Sequence, residues 1–143
     1  MRVEQLAVFL ENKANRLAEI TQILAESGIN IRALSLADTG DFGILRLLVN
    51  DTGKARQVLQ ENNFAVGISH VCVIATPDKP GGLATALQVI KAASLNVECM
   101  QAFSQRSGDT GLVIFRFDEL DRAINALQKA GIRVLTSEEI NAI

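Results

Sequence analysis

The sequence has 143 residues, 48% hydrophobic and 21% charged, with 14 Lys and Arg against 16 Asp and Glu for a formal net charge of −2. That is the balance of a globular chain, with no basic surface for nucleic acid and no run of roughly 20 apolar residues that would cross a membrane. Six Phe with no Trp or Tyr argue against base-stacking platforms, and the opening Met1-Arg2-Val3-Glu4-Gln5 lacks signal-peptide grammar, so the expected compartment is cytoplasmic.

Along the chain, Val3–Glu11 has strand character, and residues 16–27 place Leu17, Ile20 and Leu24 on one helical stripe. Asn15 is positioned to cap that helix and Gly28 to end it in a left-handed conformation. Asn30–Ala37 and Phe42–Val49 read as strands of a hairpin around a Gly-Asp turn. Asp51 then caps a helix with Ala55, Val58 and Leu59 inward, and Phe64–Ser69 is a fourth strand. The order recurs. Val71–Ala75 is a strand, and Pro80 opens a helix bearing Leu83, Leu87 and Ile90 at a position where its missing N–H costs nothing. Asn96–Ser104 and Gly111–Phe117 form a hairpin, Asp118 caps a helix with Ala123, Ile124 and Leu127, Gly131 stops it, and Arg133–Leu135 closes the unit. The last residues, from Thr136, form a short helix or tail with Ser137 as cap.

The recurrence is also one of residues. Lys13-x-x-x-Leu17-Ala18-x-x-x-Gln22 returns as Lys79-x-x-x-Leu83-Ala84-x-x-x-Gln88, and Ile29-Asn30-Ile31 as Leu95-Asn96-Val97. Gly40-Asp41-Phe42-Gly43 returns as Gly108-Asp109-Thr110-Gly111, with two residues inserted before it. The chain is therefore expected to be α+β, with two βαββαβ modules in tandem over residues 1–69 and 70–143. A module of about 70 residues buries only about 60% of its unfolded surface and is marginal alone. The junction Gly67-Ile68-Ser69-His70-Val71 is too short and apolar for a flexible linker, so the two are expected to pack together. The stretches Ile44–Val49 and Leu112–Phe117 are apolar on both alternating faces. Helices on one side of a sheet cover only one of them, which predicts a homodimer burying the other.

Few residues carry chemistry of their own. Cys72 and Cys99 lie in apolar, strand-like stretches and read as buried thiols, and His70 is the lone histidine, at the module junction. Arg46 and Arg116, within apolar strands, fit sheet-face ion pairs. No paired carboxylates, nucleophile–base pair, metal-ligand spacing or CxxC is present. The expectation is a protein without catalytic residues, metal or cofactor, and without nucleic-acid or membrane partners.

The stretch Ala75-Thr76-Pro77-Asp78-Lys79-Pro80-Gly81-Gly82-Leu83-Ala84, and in the first half Glu11-Asn12-Lys13-Ala14-Asn15-Arg16-Leu17-Ala18 followed by Gly28-Ile29-Asn30-Ile31, resembles the ACT domain. That family is a regulatory amino-acid-binding module. Its pattern runs from a strand through Asp or Asn, a variable residue, Pro-Gly, a further residue and Leu into a helix, with a Gly-Ile-Asn-Ile-like second strand. The resemblance covers nearly the whole chain in two copies. It implies ferredoxin-like modules of sheet order 4-1-3-2 with both helices on one face, antiparallel sheets side by side, and pairing through second strands. It further implies a small amino acid in the crease between the first-strand-to-helix loop of one module and the second strand of its neighbour. The loop residues so implied are Asn12, Lys13, Ala14, Asn15 and Leu17 in the first module, and Asp78, Lys79, Pro80, Gly81, Gly82 and Leu83 in the second. Asn30, Ile31 and Ala33, or Asn96, Val97 and Glu98, would frame the ligand from across the crease.

A zwitterion suits such a place, because N–H groups at a helix start favour its carboxylate and Asp78 its ammonium. Asp78 and Asn12 equally fit plain turn and capping roles. The first module has Ala14-Asn15 where the family shows Pro-Gly, and Asn tolerates the left-handed turn better than other non-Gly residues. The function implied is a non-catalytic sensor, acting on a partner enzyme or regulator through differential affinity between ligand-free and ligand-bound states. The alternative is a regulatory subunit of an amino-acid biosynthetic enzyme.

Overall fold

The computed structural model describes residues 1–11, 13–38, 40–104 and 109–143. Its elements are strand β1 (Val3–Glu11), helix α1 (Arg16–Glu26), β2 (Ile31–Asp38), β3 (Phe42–Val49), α2 (Thr52–Glu61), β4 (Ala65–Pro77), α3 (Gly82–Ala92), β5 (Val97–Ser104), β6 (Thr110–Phe117), α4 (Leu120–Lys129) and α5 (Ser137–Asn141). They form two compact units, Glu4–Ser69, and His70–Ile143 together with Met1–Val3. β4 supplies its residues 65–69 to the former and 70–77 to the latter.

In the unit Glu4–Ser69 the strands lie in the order β2-β3-β1-β4. β3 runs antiparallel to both β1 and β2, with Leu6 opposite Leu47 and Val8 opposite Leu45. Alternation then turns Leu6, Val8 and Leu10 to the same face as Leu45, Leu47 and Val49, where they meet Ile20 and Leu24 of α1 and Ala55 and Leu59 of α2. Both helices therefore cover one face of this sheet. α1 ends as expected, with Gly28 at φ +70° and the Ile29 N–H returning to the Leu24 carbonyl. Asp51 caps α2, its carboxylate accepting from the Lys54 N–H at 3.1 Å.

The second unit repeats this plan. β4, β6 and β5 lie in that order. Residues 133–135 take the fourth-strand place through one isolated bridge, Val134 to Ile74, with the Ala75 N–H donating to the Arg133 carbonyl and the Leu135 N–H to that of Val73. Cys72 and Ile74, with Val113, Phe115 and Phe117, face Ala86 and Ile90 of α3 and Ala123, Ile124 and Leu127 of α4. Each unit thus has the ferredoxin-like order 4-1-3-2, and the fold is α+β. Arg2 pairs with Asp121 on α4 at 3.5 Å, which ties the first residues to this unit.

Several local expectations are corrected. Asn15 occupies the cap position of α1 without a side-chain capping bond, and sits in the left-handed region at φ +74°. Its backbone geometry, not its amide, begins the helix. α3 opens at Gly82 behind Gly81, two residues beyond Pro80. The Asp118 carboxylate does not cap α4, whose cap position is Glu119. It accepts from the Asn96 N–H at 3.2 Å and thereby holds the start of β5. Asn50 does the same for β2, accepting from the Asn30 N–H at 2.9 Å. Thr136, not Ser137, caps α5, in a capping box with Glu139.

The unit Glu4–Ser69 keeps exposed apolar side chains on the sheet face away from its helices, with Phe9 49% and Phe42 58% exposed. Cys72 is buried as expected, and burial pushes its thiol up to about 12. Cys99 is only half-buried and His70 is exposed.

Candidate functional site

The loop between β4 and α3 is fixed by its backbone. The Lys79 N–H donates to the Pro77 carbonyl at 2.9 Å and the Gly82 N–H to the Lys79 carbonyl at 3.0 Å. Gly81 makes the turn possible at φ +87°, a conformation that L side chains rarely adopt. Gly82 is required for a different reason, since a Cβ there would lie 2.0 Å from the Pro77 carbonyl oxygen. The Asp78 N–H donates to the Asp109 carbonyl at 2.6 Å, tying the loop to the beginning of β6. Beneath it, Thr76 is buried and its hydroxyl donates to the Gly111 carbonyl at 3.4 Å.

This loop separates two cavities. One, of about 370 Å³, is lined by Thr76, Pro77, Asp78, Lys79 and Leu83 on the loop side, and by Ala102, Phe103, Gly111, Leu112 and Val113 of β5 and β6. The other, of about 330 Å³, reaches from Pro80, Gly81 and Gly82 to Thr85, Ala86 and Ile132. The first offers what a small zwitterion needs. It combines an exposed carboxylate on Asp78, an exposed ammonium on Lys79, the start of α3, and an apolar floor.

Of the sequence-expected residues, Asp78, Lys79, Pro80, Gly81, Gly82 and Leu83 are thus brought together around the loop. Asn96, Val97 and Glu98 are not. Val97 pairs with Phe117, whereas the loop end of β4 pairs at Thr110, and Val97 lies about 20 Å along β5 from Phe103. Thr76, Ala102, Phe103, Leu112 and Val113 were missed. Topology could have found them, because β5 runs parallel to β4 and its last residues, not its first, finish beside the loop.

The equivalent loop of the other unit, between β1 and α1, has a different character. Asn12 lies outside the described residues. Lys13, Ala14, Asn15 and Leu17 are exposed. Lys13 pairs with Glu11 at 2.6 Å and Arg16 with Glu19 at 3.2 Å. The hydrogen bond and charge of Lys13 hold the Glu11 carboxyl below its usual range. A cavity of about 300 Å³ here is lined by Glu11, Arg16, Glu19, Asn62 and Asn63 with Phe9, Leu10 and Phe64. Ile31 pairs with Val49 while Glu11 pairs with Phe42, so Asn30, Ile31 and Ala33 again stand at the far end of the strand from the loop.

The whole chain, residues 1–143, matches the family described as an ACT domain pair. The chain belongs to that family. ACT domains are regulatory modules. The chain is similar to the protein BT0572 from Bacteroides thetaiotaomicron, with 37% identity over 100% of this chain and 98% of that one, at a TM-score of 0.95. In fold alone it is similar to the regulatory subunit of aspartate kinase from Thermus thermophilus (15% identity, 89% and 91% of the two chains, TM-score 0.60) and from Thermus flavus (14%, 89% and 91%, 0.61). No curated protein matches. Among the described residues, no helix of the ACT pair is long and apolar enough to cross a membrane, and no cluster of His, Cys, Asp or Glu is placed to hold a metal ion.

Proposed function

We propose that this ACT pair is a non-catalytic regulator that binds a small amino acid at the β4–α3 loop. The observation that carries this reading is the 370 Å³ cavity in which Asp78 and Lys79 stand over Leu83, Ala102, Phe103, Leu112 and Val113. Asp78 takes the ligand's ammonium. Lys79 and the free N–H groups of the first turn of α3 take its carboxylate. The floor accepts an aliphatic side chain, at about 25 cal/mol for each Å² removed from water. A homodimer belongs to the same reading. Among the described residues β5 is an edge strand paired only with β6, and a second copy laid antiparallel along it would bring that copy's Asn96, Val97 and Glu98 to the Asp78 loop. Binding changes the affinity of the protein for a partner through unequal affinity of the ligand for its two states.

Calorimetric titration with each standard amino acid tests this. Binding of one or a few at millimolar concentration or below, weakened in Asp78→Ala, is the expected result. No heat from any of them removes the reading, as does an Asp78→Ala variant that binds like the parent. A single monomeric species in scattering at micromolar concentration removes the dimer. A second reading, a regulatory subunit of an amino-acid biosynthetic enzyme located in the cytoplasm, draws support from the length of the Thermus thermophilus regulatory subunit, of which the match covers 91%. Recovery of a large catalytic chain with the protein from its native cells distinguishes it.

A further inference from the structure

The two modules are repeats, yet their loops differ in charge around the one lysine they share. Glu11, Lys13, Arg16 and Glu19 of the first stand where the second has Pro77, Lys79, Gly82 and Thr85. In the first module the one lysine common to both loops is paired with Glu11 at 2.6 Å. In the second, proline replaces that glutamate, and Lys79 has no ion pair among the described residues. Asp78, the carboxylate available for an ammonium, has the uncharged Asn12 as its counterpart.

The backbone differs in the same sense. Gly82 lets the second loop fold so closely on Pro77 that no Cβ fits. At the same place Arg16 carries a Cβ, and its N–H reaches the Lys13 carbonyl only at 3.5 Å, against 3.0 Å for the Gly82 N–H to the Lys79 carbonyl. The Arg16 guanidinium, held by Glu19, then lines the cavity at the start of α1, together with the Glu11 and Glu19 carboxylates. A ligand carboxylate entering there would meet two like charges whose counter-ions are already paired. In the 370 Å³ cavity at the start of α3 it would meet one carboxylate, Asp78, and a Lys79 ammonium that no carboxylate pairs among the described residues.

We infer that the chain binds one amino acid, in its second module alone, and that the first module's loop is closed to ligand by its own Lys13–Glu11 and Arg16–Glu19 pairs. This rests on the amino-acid reading above and assigns its stoichiometry. The first loop is then a repeat kept for its fold, and the sensing residues are those of the second.

The test is calorimetric stoichiometry on the full chain with L-valine, L-leucine and L-isoleucine as first probes, followed by the other standard amino acids. The wild type is expected to take one molecule per chain. Lys79→Ala, at an exposed position, is expected to weaken binding about tenfold or more and to leave no second, unaffected site. Glu11→Pro combined with Asn12→Asp and Arg16→Gly, which gives the first loop the second loop's residues at these three positions, is expected to add a second site. Two sites per chain in the wild type overturn the inference while leaving amino-acid binding intact. So does a one-site isotherm of unchanged affinity in Lys79→Ala, or a folded triple variant that still takes one molecule. No binding of any probe removes the amino-acid reading itself, and the inference with it.

Discussion

Gly82→Ala is a local change whose cost follows from geometry. The new Cβ would lie 2.0 Å from the Pro77 carbonyl oxygen, where ordinary contact begins at 3.4 Å. The obstacle is backbone, so no side chain can swing aside, and the turn from Pro77 to Gly82 must open by more than an ångström. Overpacking of this kind costs about 1–3 kcal/mol, and so large an overlap with a fixed group belongs at the upper end. Alanine's better helix propensity returns about 1 kcal/mol, leaving a net loss of about 2 kcal/mol. With a denaturant slope of about 2 kcal/mol per molar, the urea midpoint falls by about 1 M. Gly81→Ala is the comparison, because nothing lies within 4 Å of its added Cβ. Its cost is the left-handed backbone at φ +87° alone, about 1–2 kcal/mol. Gly81→Asn should recover part of it, since Asn15 holds the equivalent place in the first module at φ +74°. Urea unfolding followed by circular dichroism reads all three variants. A Gly82→Ala protein as stable as wild type would refute the close approach of loop and helix on which the site geometry depends.

Leu59→Ala, at a fully buried position in the core of the unit Glu4–Ser69, is expected to cost about 2–5 kcal/mol in urea unfolding. Cys72 is expected to resist alkylation at pH 8 in the native protein and to react once unfolded, because its thiol is buried and pushed up to about 12. Mass spectrometry of the labelled peptide reads this. The Glu139 carboxyl is held below the usual carboxylate range, first by its hydrogen bond from Arg133 and then by the Thr136 N–H. A depressed carboxylate lends stability that is present above its unfolded value and lost as pH falls through the folded one. Docking of α5 should therefore loosen in acid below about pH 4.5, seen as titrating amide signals of Ile140 and Ala142, and Glu139→Gln should abolish that titration.

Much of the fold was legible because the sequence states it twice. Lys13-x-x-x-Leu17-Ala18 and Lys79-x-x-x-Leu83-Ala84 mark the same loop and helix in both modules, and Gly28 and Gly131 end their helices at φ +70° and +79°. The left-handed turn at Asn15 was legible from its alignment with Gly81. What failed had long-range causes. Asp118 has the composition of a cap, but its carboxylate binds the Asn96 N–H, 22 residues earlier in the chain, a partner that no local pattern reveals. The loop half of the proposed site is legible in its motif. The Ala102, Phe103, Leu112 and Val113 floor is not, because strand register, and not composition, decides which end of β5 meets the loop.

The most direct measurement is a titration of uniformly ¹⁵N-labelled protein with the standard amino acids, following backbone amide shifts. Saturable shifts are expected for at least one of them, centred on the amides of Asp78, Lys79, Gly81, Gly82 and Leu83 and on Ala102, Phe103, Leu112 and Val113, with the Lys13–Leu17 amides still. If every amino acid leaves the Asp78–Leu83 amides unmoved at 10 millimolar (about 2.7 kcal/mol of binding free energy), the loop is not an amino-acid site and the regulatory ligand must be sought elsewhere.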